Sequence, residues 1–214
     1  MGRIYINQSA IVCHRFGGAV FNTMKAIFII LLFTLSLCKA QIQPILEQGI
    51  GLEAGFYYKD TFNELDKFTG TWRYESGSIL FEITLQKKEK LFNGSNNNYC
   101  DILVGEYRYV DGTNTIVNTL QNLLQNLGPY ENNISGANIQ DSNHTASERR
   151  VELTFKDPER DYLYRYIVVK HFVAQGGTPE RIEITFNGEM SIVPEGTPTE
   201  LRVPEQNYTL IKVP

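Results

Sequence analysis

Cysteine and histidine are scarce in this chain, three of each among 214 residues, and their positions exclude most of the chemistry that depends on them. Cys13 and Cys38 fall in the first forty residues, so beyond them only Cys100 remains and that part forms no internal disulfide. His144 and His171 have no cysteine or histidine partner at the short spacing of a zinc site, so no metal centre is expected. His144 and Glu148, four apart, share a face only on a helix, which Ser142 and Asn143 argue against; His144 is expected to be solvated in a loop. His171 reads as a strand residue with an ordinary hydrogen bond. The sequence has no G-x-S-x-G, hence no nucleophile elbow, and Cys100 heads an apolar strand where a buried, inert thiol is expected. No catalytic residue, metal or cofactor is assigned.

Long apolar runs are absent too, with one exception. Met24 and Lys25 precede an apolar run from Ala26 to Leu37 broken only by Thr34 and Ser36, followed by Cys38, Lys39 and Ala40 before Gln41. A basic start, about a dozen apolar residues and small residues before a cut describe a secretory signal peptide, too short to remain as a spanning helix. Residues 24–40 are therefore expected to be a signal cleaved near Ala40, placing the mature chain in the periplasm or outside the cell. The alternative is a lipoprotein acylated at Cys38, which Leu37 opposes because the residue before such a cysteine is normally small. Residues 1–23 make a poor leader and read as a non-native upstream extension, with Met24 as the true start.

Positive charge is also in short supply. Arg3, Arg15, Lys25 and Lys39 precede the cut, leaving 16 Lys and Arg against 24 Asp and Glu, a formal charge of −8. Nucleic acid and anionic lipid surfaces, which are held by clustered Lys and Arg, are thereby disfavoured as partners. The remaining 174 residues suit one domain with a full hydrophobic core.

What is present is strand and turn. Ile79, Phe81, Ile83 and Leu85 alternate with polar residues, as do Val151, Leu153 and Phe155, and Ile182, Ile184 and Phe186, each series predicting a half-buried strand. Tyr99–Val110 and Tyr162–Phe172 are longer and rich in aromatic and β-branched residues, and Tyr208–Val213 completes the set. Turn signals at Asn93-Gly94, Asp111-Gly112, Asp157-Pro158, Gly176-Gly177 and Asn187-Gly188 imply antiparallel neighbours, because parallel strands need long crossovers. Val117, Leu120, Leu123, Leu124 and Leu127 have helical spacing before Gly128-Pro129 and predict one short helix. Residues 131–150 read as a long polar loop, and residues 41–67 as a mixed leader segment whose glycines argue against one continuous helix. The expected fold is mainly β: a single antiparallel β-barrel or barrel-like sandwich of roughly eight to ten strands over residues 68–214, with at most one or two short helices. An outer-membrane barrel is disfavoured by Glu82, Glu152, Lys156 and Glu183 recurring on strand faces that would meet lipid.

Phe68-Thr69-Gly70-Thr71-Trp72 comes just before the first clear strand. This resembles the G-x-W motif that opens lipocalin-like barrels, in which the tryptophan plugs one end and a basic side chain from the last strand covers it. Gly70 and Trp72 are the expected structural motif, with Lys212 or Arg202 as the cover. A wider resemblance rests on Tyr57-Tyr58-Lys59-Asp60, Asn63 through Trp72, Val104 through Tyr109, Asn118-Thr119-Leu120 and Phe155-Lys156-Asp157-Pro158. It is similar to a family of small secreted Bacteroidetes proteins carrying one domain of unknown function. The resemblance implies a secreted, mostly β domain and supplies no activity. Two cysteines that some relatives carry near Ser142 are absent here.

Function is approached through aromatic rows. Tyr107 and Tyr109 share one strand face and Tyr162, Tyr164 and Tyr166 another, and such rows line ligand cavities or sugar-stacking surfaces, though tyrosine is also simply favoured in strands. The expectation is a non-enzymatic lipocalin-like protein that binds a small apolar ligand or an envelope protein. The alternatives are a structural or interaction domain with a filled core, and a hydrolase. Asp60, Glu64 and Asp66 cluster without the spacing of a calcium loop, and Glu82 and Glu106 are carboxylates expected on the wet face of a sheet.

Overall fold

The computed structural model describes residues 41–45, 53–128, 130–140, 148–189 and 192–214. The expected signal peptide, its cleavage after Ala40, Cys38 and His144 lie outside the described residues. The strands are β1 (Gln41–Pro44), β2 (Phe56–Lys59), β3 (Gly70–Ser76), β4 (Ile79–Asn93), β5 (Asn98–Asp111), β6 (Asn114–Asn118), β7 (Ile134–Gln140), β8 (Glu148–Asp157), β9 (Arg160–Phe172), β10 (Arg181–Glu189) and β11 (Tyr208–Lys212). Two 3-10 turns, Leu65–Phe68 and Leu120–Leu124, are the helical elements among the described residues.

Eight strands close a barrel in the order β5, β4, β3, β11, β10, β9, β8, β7 and back to β5, every neighbouring pair antiparallel. Closure leaves these strands without an open edge over their paired lengths, the usual solution to edge aggregation. Gln41–Pro214 forms one compact unit.

The long strand β5 makes this closure possible. Along a single edge it pairs first with β2 at Tyr99 and Cys100, then with β7 at Leu103–Gly105, then with β6 at Arg108–Asp111. Gly105 is needed where β4, β5 and β7 converge, since a Cβ there would stand 2.5 Å from Leu85 Cδ2 and 3.0 Å from Thr84 O. The flap formed by β1 and β2 is parallel, and β2 joins β5 in parallel as well, unlike the antiparallel meander that the short turns predict.

Two expectations need correction. The predicted helix around Val117–Leu127 is divided between strand and turn: Val117 is the buried residue of β6, and only Leu120–Leu124 coils, as a 3-10 turn. None of the leucines of that turn is buried, and Leu124 is exposed, so no helix with a buried stripe forms. The loop expected over residues 131–150 contains β7, which completes the barrel between β5 and β8. A register shift between Ser135 and Asn138 breaks the two-residue period that would have marked it as a strand.

Candidate functional site

Register partners share a face of the sheet, so the ladders give the residues that point into the barrel. Trp72 pairs with Ile83 and with Lys212, Tyr74 with Phe81, Phe81 with Tyr109, and Ile83 with Tyr107. On the opposite wall Phe155, Leu153 and Val151 pair with Arg165, Ile167 and Val169, and Ile182 and Ile184 with Leu210 and Tyr208.

At one end stands Trp72, completely buried. Its indole N–H donates to the carbonyl of Phe68 at 2.8 Å, fastening the 3-10 turn Leu65–Phe68 beneath the barrel, and Leu65 and Phe68 are themselves buried. His171 presents an edge to both Trp72 and Phe68, with ring centroids 6.0 and 5.9 Å apart. The Lys212 ammonium lies 5.1 Å from the centre of the Trp72 ring. Arg202, the other candidate cover, belongs elsewhere, bonded to Asp157. Gly70 has φ +120°, a backbone bend that other residues rarely adopt, and a Cβ there would only touch Lys212 Cε, at 3.4 Å.

Charge seals the same end. Lys87, whose side chain is largely buried, bonds Asp60 at 3.1 Å and Asp66 at 3.0 Å, and Arg149 reaches Glu64 at 3.0 Å. Asp60 also accepts the backbone N–H groups of Glu64 and Leu65, each at 2.9 Å. Asp101 ties in the flap, accepting from the Tyr57 hydroxyl at 2.6 Å and from the Asp60 N–H at 3.0 Å. The acidic cluster Asp60, Glu64 and Asp66 thus clamps a plug onto basic side chains of the barrel end. Glu180 accepts from Lys212 at 2.8 Å and faces His171 Nε2 at 3.0 Å; burial would raise its carboxyl, but these bonds outweigh burial and hold it below the usual glutamate range.

The other end is closed by the segment preceding β11. Leu201 and Val203 are buried in the core, and Tyr208 donates to Pro204 O at 2.8 Å. Arg202 Nε donates to Asp157 at 2.9 Å, and Arg165 Nε to Glu205 at 2.9 Å. Burial alone would raise the Asp157 carboxyl. The side-chain and backbone bonds from Arg202 and the backbone N–H of Glu159 prevail and hold it below its ordinary range.

Between the plugs the barrel is filled. Phe81 makes ring contacts with Tyr107, Tyr109, Phe155 and Tyr208 at 4.8 to 6.4 Å, and Tyr107 stacks on Phe155 at 4.6 Å. Phe81 and Tyr107 are 0 % exposed, and Phe155 and Tyr208 1 %. A cavity able to hold a ligand would leave its lining with accessible surface, and these residues have almost none.

The two tyrosine rows separate accordingly. Tyr107 and Tyr109 point inward as part of the core, and the Tyr107 hydroxyl donates to Lys156 O at 3.0 Å. Along β9 the buried residues are Leu163, Arg165, Ile167, Val169 and His171, so the half-buried Tyr162, Tyr164 and Tyr166 occupy the opposite, outer face. They do not line a common cavity with Tyr107 and Tyr109: the period of two puts them on the other side of the wall.

The remaining candidates have structural partners. Glu106 is wholly buried rather than on a wet face, and it accepts from Asn132 Nδ2 at 2.9 Å and Asn133 Nδ2 at 2.6 Å. Glu82 is held by Arg73 Nη2 at 2.6 Å. Cys100 is buried, which pushes its thiol up to about 11, away from the reactive thiolate. The plug clamp and the Asn132–Glu106 lock are not foreseeable from sequence, because they join residues far apart in the chain.

No curated protein and no solved structure matches this chain significantly. The match to a family extends over residues 24–213, nearly the whole sequence. The chain belongs to the family of unknown function DUF6705, here seen as a closed, filled eight-stranded β-barrel.

Proposed function

We propose that this chain is an exported, non-enzymatic, lipocalin-like domain that binds a partner in the cell envelope through its outer surface. The observation that carries this reading is the filled interior with a plug at each end. A small apolar ligand needs an accessible cavity in the barrel, and the packing of Phe81, Tyr107, Phe155 and Tyr208 favours the interaction domain over the ligand carrier. The lipocalin likeness rests on Gly70, Trp72 and Lys212, which lie together at one barrel end. Export rests on the apolar run of residues 26–37 and the small residue Ala40. The buried carboxylates Asp60, Glu106 and Asp157 are engaged by lysine, asparagine, arginine and backbone groups, which supports a structural use over acid–base catalysis.

Native mass spectrometry of the exported protein incubated with palmitate tests the reading. The expected spectrum shows the bare chain starting at Gln41. A stoichiometric fatty-acid adduct would restore the ligand-carrier reading, and a start at Cys38 with added acyl mass would make the protein a lipid-anchored one.

A further inference from the structure

The seam that closes the barrel is short. β3 and β11 share two register pairs, Trp72 with Lys212 and Arg73 with Ile211, continued by the Val213 N–H to Thr71 O at 2.8 Å. Past Arg73 the strands cease to pair. Tyr74, Glu75 and Ser76 pair with β4 alone, and Tyr208, Thr209 and Leu210 with β10 alone.

Within these segments one residue on each side, Glu75 and Thr209, turns its peptide groups toward the other without a ladder between them. Alternate N–H groups of a strand point to opposite neighbours. The Lys212 N–H goes to Glu180 O, on the β10 side, and the Val213 N–H to β3. By that alternation the Thr209 N–H points into the seam. A groove of about 450 Å³ runs along it, lined by Arg73, Tyr74 and Glu75 on one side and Thr209, Ile211 and Lys212 on the other. Tyr74, which lines the groove, packs its ring edge to face at 5.2 Å against Tyr208 of the filled interior.

We infer that this seam accepts an extended peptide of a partner protein as an added strand, a site that gives the surface-binding reading above its location and partner class, and rests on it. Backbone groups at strand spacing select for extended polypeptide, because main-chain hydrogen bonds are what such edges offer. The peptide alternates. One set of side chains faces the Tyr74 ring and is apolar, and the other lies outward beside Glu75 and Thr209, both exposed, and is polar. An added strand needs about 4.8 Å on each side, so the seam widens as the peptide enters. Widening stops at the rung Arg73 and Ile211, backed by the pair Trp72 and Lys212, where the ring, the ammonium and Glu180 hold the strands together.

Phage-displayed random heptapeptides selected on the wild-type protein are the probe, each then synthesised in plain and backbone N-methylated form. The expected peptides show apolar–polar alternation, lose about tenfold or more in affinity on N-methylation, and slow hydrogen exchange at the Thr209 amide of the wild-type protein. In a Glu75→Cys, Thr209→Cys double variant closed with a short bismaleimide, binding falls by a similar factor while Trp72 emission is unchanged. If that variant fails to fold, the exchange measurement on wild type decides alone. Equal affinity for open and closed protein, or protection away from β3 and β11, overturns the seam and leaves surface binding standing. Recovery of no binding peptide overturns the seam as well, whereas fatty-acid uptake in the mass experiment overturns the filled interior instead.

Discussion

Lys212 Nζ lies 5.1 Å from the centre of the Trp72 ring and 2.8 Å from Glu180 Oε1, so one side chain joins the last barrel strand to the first and to the residue just before β10. The contact sits where the eight-stranded ladder is shortest, and it makes the sequence motif around Gly70 and Trp72 a closure device.

Replacing Trp72 with Ala is expected to cost about 3 to 5 kcal/mol, the usual range for emptying a fully enclosed aromatic site. Lys212→Met, which keeps the stem and removes the charge, is expected to cost less, about 0.5 to 2 kcal/mol. Urea midpoints of both variants beside wild type measure this. A Trp72→Ala midpoint equal to wild type, together with red-shifted emission from the native protein, would show the ring to be a bystander.

Gly70→Val introduces a side chain at φ +120° and against the Lys212 stem. Such backbone positions cost about 1 to 3 kcal/mol for other residues. The expected result is a lower midpoint together with altered Trp72 fluorescence. Unchanged emission and stability would mean that the backbone relaxes freely there.

Lys87→Met leaves Asp60 and Asp66 without their cation at the plugged end. Breaking a buried pair from one side typically costs about 3 to 5 kcal/mol, and here the figure falls below that range because Asp66 is half exposed. Hydrogen exchange should accelerate at Glu64 and Leu65, whose N–H groups bond Asp60. Exchange that stays slow in this variant would show that Asp60 holds the plug without the lysine.

How much of this was legible beforehand follows from the range of each interaction. The strands around Phe81, Leu153 and Ile184 announce themselves by strict alternation, and the Gly70-Thr71-Trp72 motif by local spacing, so fold class and one barrel end are readable. β7 was hidden because its register shift destroys the alternation, and β1 and β2 because a parallel pair lacks a turn signature. Whether Tyr107 or Tyr164 points inward depends on which face of a strand meets the core. Leu163 and Ile167, interleaved with the β9 tyrosines, take the interior there. The clamp between Lys87 and Asp60 joins side chains that no local pattern relates.

Asp157 and Glu180 have folded-state pKa values below their ordinary ones, held there by Arg202 and by Lys212 with His171 against the opposing effect of burial. Each therefore contributes stability that is present above its unfolded pKa, about 4, and is lost as pH falls through the folded value. Asp157→Asn should lower stability at neutral pH and flatten its decline below pH ~4. A variant whose acid decline matches wild type in steepness would assign that decline to other carboxylates.

The filled interior is tested most directly by titrating fluorobenzene against wild type and Phe155→Ala, followed by ¹⁹F relaxation. Phe155 is 1 % exposed and stacks on Tyr107 at 4.6 Å, so its removal opens an apolar void of the kind that takes up small aromatic molecules. The account predicts no saturable binding to wild type and one saturable site in the variant. Saturable binding to wild type, displaced by a fatty acid, would contradict it and return the barrel interior to the role of a ligand site.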